Sequence, residues 1–231
     1  MKRFVPVLMA CAGLLSSFNA SAVDGVIEIS SACINFGCMP GDSAGAPVTI
    51  SQSGSYILTS NLSTTNADTT LIEISASDVS LNLNGFTISG VTTCANTPVT
   101  GCSNTGNGIG VDVNNDRVRV YNGNIRNMGN VCLSSTLDHT VNHFHDLTVS
   151  ECGGAGIVSP SGLISDVLVN RVGGQGILIF IGNTFVKDSH ITGNRTEGQL
   201  GGVCANNVYQ ANGSALNCVQ MGPNICDGVA C

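Results

Sequence analysis

The run His139-Thr-Val-Asn-His143-Phe-His145-Asp146 holds three of the four histidines in this 231-residue chain. On an extended strand His143 and His145 share one face, which is how a β-sheet presents two imidazoles to one metal ion, zinc above all. Phe144 between them points the opposite way, so the pair faces solvent, where histidines without a role are commoner. A third ligand is needed; His139 serves only if a corner turns it back, and His190 lies about two repeats further on. A second series is Asp146, Asp166 and Asp188, spaced by 20 and 22 residues. Such spacing stacks carboxylates about 4.8 Å apart on adjacent strands, near the separation of a retaining glycosidase pair. Asp146 and Asp166 are then the first acid and base candidates. The plainer reading is a corner residue whose side chain hydrogen-bonds its own backbone.

The elements that must position these residues are short strands. Val79 to Gly90 alternates Val79, Leu81 and Leu83 onto one face, breaks at Asn84-Gly85, and resumes with Phe86 and Ile88. Two strands meeting at a corner have this pattern. It recurs as Leu58 and Leu62, Val120 and Ile125, Phe144 and Val149, Ile164 and Val169, and Val186 and Ile191. The second member advances by 26, 37, 24, 20 and 22 residues. Gly156-Ile157 and Gly176-Ile177 form a further ladder. A repeat of this length, built from strands with no helical pattern between them, predicts an all-β solenoid of about seven rungs, a rod of about 35 Å. In register, Arg119 falls beside His143 and Tyr121 beside His145, with Lys187 two rungs on, giving a cationic stripe.

Residues 1–22, with Lys2, Arg3, an apolar run and Ala20-Ser21-Ala22, predict a signal peptide cut near Ala22 and a secreted, periplasmic or cell-surface protein. Leu8-Met9-Ala10-Cys11 offers a lipoprotein box with a shorter apolar run. Residues 23–45 lack a period and predict an N-terminal cap, 46–200 the helix proper, and 201–231 a cysteine-rich C-terminal cap. The polar stretch 91–107 predicts a loop thrown out from a corner. Ten cysteines remain after cleavage, an even number without a Cys-x-x-Cys, which favours disulfides over zinc. Cys33 with Cys38, Cys226 with Cys231 and Cys94 with Cys102 are close pairs; Cys204 with Cys218 and Cys132 with Cys152 are the remaining choice. No later segment is apolar enough to span a membrane.

Without Lys2 and Arg3 the chain has six basic residues against 15 acidic ones, a net charge of −9. Residues 23–116 hold eight acids and no base, which disfavours nucleic acid. The six bases lie between Arg117 and Arg195, where an acidic polysaccharide or another cell-surface component is the fitting partner. Trp is absent and only Tyr56, Tyr121 and Tyr209 are present, so platforms for stacking sugars are scarce.

Pro47-Val-Thr-Ile50, Gly54-Ser-Tyr56, Leu58-Thr-Ser-Asn-Leu62 and Val79-Ser-Leu-Asn-Leu-Asn-Gly-Phe-Thr-Ile88 resemble a group of exported bacterial proteins in the pectin-lyase-like superfamily. The resemblance implies a right-handed parallel β-helix, a fold that hosts lyases, hydrolases, adhesins and inert surface proteins alike. Its polygalacturonase-like members carry Asn-Thr-Asp, Asp-Asp, Gly-His-Gly and Arg-Ile-Lys, none of which occurs here. Its pectate-lyase-like members bind calcium through clustered acids and use an arginine base. Asp112, Asp116 and Asp138 beside Arg117 and Arg119 are the only local approximation. The reading reached is a non-catalytic surface or extracellular protein contacting glycans or another protein. The alternative is a polysaccharide lyase or glycoside hydrolase acting on an acidic glycan through Arg117, Arg119, His143, His145, Asp146 and Asp166. No cofactor is called for unless calcium or zinc binds.

Overall fold

The computed structural model describes residues 25–135, 141–180, 184–214 and 216–231. Among the described residues the chain winds as a parallel β-solenoid of about seven turns, almost without helix. Three ladders run along it. Face A stacks Val48–Ile50, Ile72–Ile74, Val111–Val113, Leu133–Ser135, Ile157–Val158 and Ile177–Leu178. Face B stacks Ile27–Ile29, Gly54–Leu58, Val79–Asn82 and the first halves of Arg119–Arg126, Asn142–Ser150 and Gly162–Asn170, followed by Phe185–Lys187. Face C takes Leu62–Ser63, Thr87–Ser89, the second halves of those three long strands, His190–Thr192 and Val208–Gln210.

Alternation explains which side chains enter the rod. Tyr56, Leu81, Val120, Phe144, Ile164 and Val186 form one inward column on face B, and none is more than 1% exposed. Leu62, Ile88, Ile125, Val149, Val169 and Ile191 form its equivalent on face C, with the spacings read from the sequence. Full burial of each such side chain stabilises by about 1.5–3 kcal/mol, so these columns fix the register. Towards the C-terminal end polar side chains replace apolar ones at the corners and satisfy the backbone there. The side-chain carbonyl of Asn207 accepts from the amide of Ser189 at 3.0 Å, and its side-chain amide donates to the carbonyl of Val186 at 2.9 Å.

From Asn122 onward a single left-handed residue turns face B into face C on five successive rungs. Asn122, Asp146, Asp166, Asp188 and Asn206 occupy this position with φ between 52° and 60°. Asn and Asp tolerate that conformation better than other residues with a Cβ. The aspartate series is therefore a corner ladder, but Asp146 and Asp188 turn their carboxylates to neighbouring side chains, His145 for the one and Lys187 and Asn206 for the other, and not to their own backbone.

The five disulfides join the expected partners: Cys33–Cys38, Cys94–Cys102, Cys132–Cys152, Cys204–Cys218 and Cys226–Cys231. The polar stretch expected as an outlying loop behaves differently. Thr93–Ala95 and Gly101–Ser103 pair as an antiparallel hairpin closed by Cys94–Cys102. The hairpin lies back along the corner between faces C and A, burying Val99 to 3% exposure. Arg171 holds it from below, donating to the carbonyl of Cys94 while pairing with Glu151 at 3.2 Å. Gly173 permits the close approach: a Cβ there would come within 2.9 Å of the Cys102 sulfur and 2.2 Å of the carbonyl oxygen of Gly153.

Candidate binding face

Outward positions of face B bring together Arg119, Tyr121, His143, His145 and Lys187. Arg119 pairs with His143, and Tyr121 with His145, across adjacent strands; His145 is followed by Ser165 and then Lys187. The Tyr121 and His145 rings stack with centroids 5.0 Å apart and planes 10° apart. His143 lies against His145 at 4.2 Å, tilted by 34°. Phe144, between the two histidines, is wholly buried, which is what turns both imidazoles outward.

Each histidine has a distinct partner. His145 Nδ1 is 2.7 Å from the carboxylate of Asp146, which holds a proton on that nitrogen and leaves Nε2 as the free position. His143 Nε2 is 3.3 Å from the Ser165 hydroxyl. Burial, followed by the charges of His145, Arg119 and Lys187, pushes the His143 pKa below the ordinary histidine value. Lys187 pairs with Asp188 at 2.9 Å, and Arg119 is exposed with no carboxylate partner among the described residues. An open groove runs beside this cluster. Arg119, Val141, His143 and Leu163 line one stretch of about 450 Å³, and Ser55, Ser80 and Arg119 the next.

Other candidates are placed elsewhere. Arg117 sits at the corner between faces A and B and forks onto both carboxylate oxygens of Asp78 at 2.7 Å, holding that carboxyl below its ordinary range. Asp146 and Asp166 occupy adjacent steps of the left-handed corner beside the cluster. His190 lies on face C, away from His143 and His145. Asp112 faces outward on face A, separated from Arg119 on face B. Asp138 and His139 lie outside the described residues.

Zinc takes four ligands, and two imidazoles stand together on this face. Among the described residues no group of three His, Cys, Asp or Glu is placed to hold a metal ion. Arg119 and Lys187, moreover, put positive charge beside the two rings. No helix in the described residues is long and apolar enough to cross a membrane. Compared with family models, curated proteins and solved structures, the chain matches none.

Sequence reasoning missed one pair. Glu73 and Asp112 are register partners on adjacent strands of face A. Burial and the nearby Glu73 push the Asp112 carboxyl above its ordinary pKa, against the opposing hydrogen bonds of Asn114 and Ser134. One Asp112 oxygen, Oδ1, is buried without a hydrogen-bond partner. A spacing of 39 residues across an insertion hides this pair from a period of 20 to 26.

Proposed function

We propose that this chain is an exported, non-catalytic β-helix that holds an acidic glycan of a cell envelope along face B. The observation that carries the reading is the in-register stacking of Arg119 on His143 and of Tyr121 on His145, with Lys187 two strands beyond. On a chain of net charge −7 the six basic residues beyond Arg3 fall only between Arg117 and Arg195, and this face collects two of them with two imidazoles. Arg119, with no carboxylate partner among the described residues, gives this face a cation for an acidic polymer, and the Tyr121–His145 stack supplies a small flat surface for a sugar ring. Five disulfides and the apolar N-terminal run support export, and the resemblance to pectin-lyase-like proteins supports right-handed winding. The cap boundaries at residues 45 and 200 belong to the same reading.

The test is titration with oligomers of polygalacturonate and alginate, with products followed in parallel. Binding that weakens with salt and falls several-fold in Arg119→Ala, with no unsaturated or reducing-end product with or without calcium, is the expected result. Product release abolished by Arg119→Ala, His143→Ala or Asp166→Asn would overturn it.

One observation favours the second reading, a glycoside hydrolase. Glu73 and Asp112 are register partners on strands about 4.8 Å apart, and burial pushes the Asp112 carboxyl above its ordinary pKa. Product release lost in both Glu73→Gln and Asp112→Asn would establish that reading in place of the first.

A further inference from the structure

The outward column of face B that begins with Arg119 and His143 does not stay polar. In register beyond His143 come Leu163, Phe185, Val203 and Val219, four apolar side chains in succession on the solvent side of the sheet. Their inward neighbours Ile164, Val186 and Cys204 are fully buried, so alternation leaves Leu163, Phe185 and Val203 facing out, and exposed Val219 continues the file in register. Leu163, Phe185 and Val203 are partly exposed and Val219 is 63% exposed. Val141, 69% exposed, lines the same groove as Arg119, His143 and Leu163. Outward positions on a solvated sheet ordinarily alternate with the core as polar residues, and an apolar file among them marks a contact surface.

We propose that the ligand of face B is an anionic amphiphile: its charged head rests on Arg119 and His143, and one alkyl chain runs along Leu163, Phe185, Val203 and Val219. Charge complementarity sets the direction, because Arg119 stands free at one end of the apolar file and lacks a carboxylate partner among the described residues. Length fits as well. Three steps of about 4.8 Å make an apolar track of about 14 Å, the scale of an extended chain of a dozen carbons. Lys187 flanks Phe185 but is already paired with Asp188, so the uncompensated cation is at the Arg119 end. The inference rests on the cationic reading of face B and adds to it that the envelope glycan bound there carries an acyl chain.

The test compares three probes on the full mature chain: dodecyl phosphate below its micelle concentration, ethyl phosphate, and a polygalacturonate oligomer. Dodecyl phosphate should bind at least tenfold more tightly than ethyl phosphate. Phe185→Ser should remove that difference and leave polygalacturonate binding unchanged, whereas Arg119→Ala should weaken both. Val219→Ser, at the most exposed position of the file, serves if Phe185→Ser does not fold. Phe36→Ser, at an 86% exposed site near the other end of the rod, should change nothing; an effect equal to that of Phe185→Ser would mean non-specific binding and overturn the proposal. Equal binding of the two phosphates with polygalacturonate binding intact would overturn the alkyl chain and leave the glycan reading standing. Loss of all three would remove both. A ligand-free dimer that Phe185→Ser converts to monomer would show that a second copy covers the file, and would also overturn the proposal.

Discussion

Protonating His143 is costly because the ring is partly buried and has His145, Arg119 and Lys187 for neighbours, with only Asp146 opposing them. The folded chain therefore holds this proton less well than the unfolded chain. The stability associated with a neutral His143 is complete above the ordinary value of 6.5 and falls as pH drops through it towards the folded pKa. Wild-type protein should melt at a lower temperature at pH 5.5 than at pH 7.5, and His143→Gln should flatten that slope. Asp112 works in the opposite sense. Its folded pKa is raised, so its contribution is complete below 3.8 and is lost as pH rises through the folded value. Asp112→Asn should therefore raise the melting temperature at pH 7 and leave it unchanged at pH 3. A thermal scan of both variants across pH checks the two signs independently.

Among the elements, the corner ladder and the inward columns make different demands. At Asp166 the backbone has φ of 55° on a turn between two paired half-strands. Asp166→Val should cost about 1–2 kcal/mol and Asp166→Gly only a few tenths, because the penalty comes from a Cβ in the left-handed region. Phe144→Ala, by contrast, empties a wholly buried site and should cost about 3–5 kcal/mol by denaturant unfolding. These two elements were the most legible in the sequence. Alternation around Phe144 and a recurring Asp before the second strand both have local causes that a single chain displays. The hairpin was not legible, because its residues are polar and the burial of Val99 depends on a corner formed by Gly173 and Arg171 far along the chain. The Glu73–Asp112 pair was hidden for a related reason: its register spans the hairpin, and only the coiled structure closes that gap. The apolar file on face B was present as single residues, but its continuity became visible only when register joined Leu163 to Val219.

At the scale of the molecule, stability comes from stacked turns that each bury little alone, with covalent ties at the ends and between neighbouring turns. Cys132–Cys152 links two successive turns across 20 residues and is wholly buried. Replacing both cysteines with alanine should cost about 3 kcal/mol, and a chain reduced at all five bridges should unfold well below the melting temperature of the oxidised form. Acidic residues without bases along the first half, and the cations of face B beyond them, make the rod electrically uneven along its length. Under the proposed function, that unevenness would direct a polyanion to one part of one face. Three histidines report this directly, since His143 and His145 lie within the proposed face and His190 lies on face C. The decisive measurement is a histidine-resolved NMR titration with a polygalacturonate oligomer. The ring resonances of His143 and His145 should shift, the His143 pKa should rise as an anion offsets its cationic neighbours, and His190 should be unmoved. Equal shifts at His190, or unshifted His143 and His145 at saturating ligand, would contradict the proposed function.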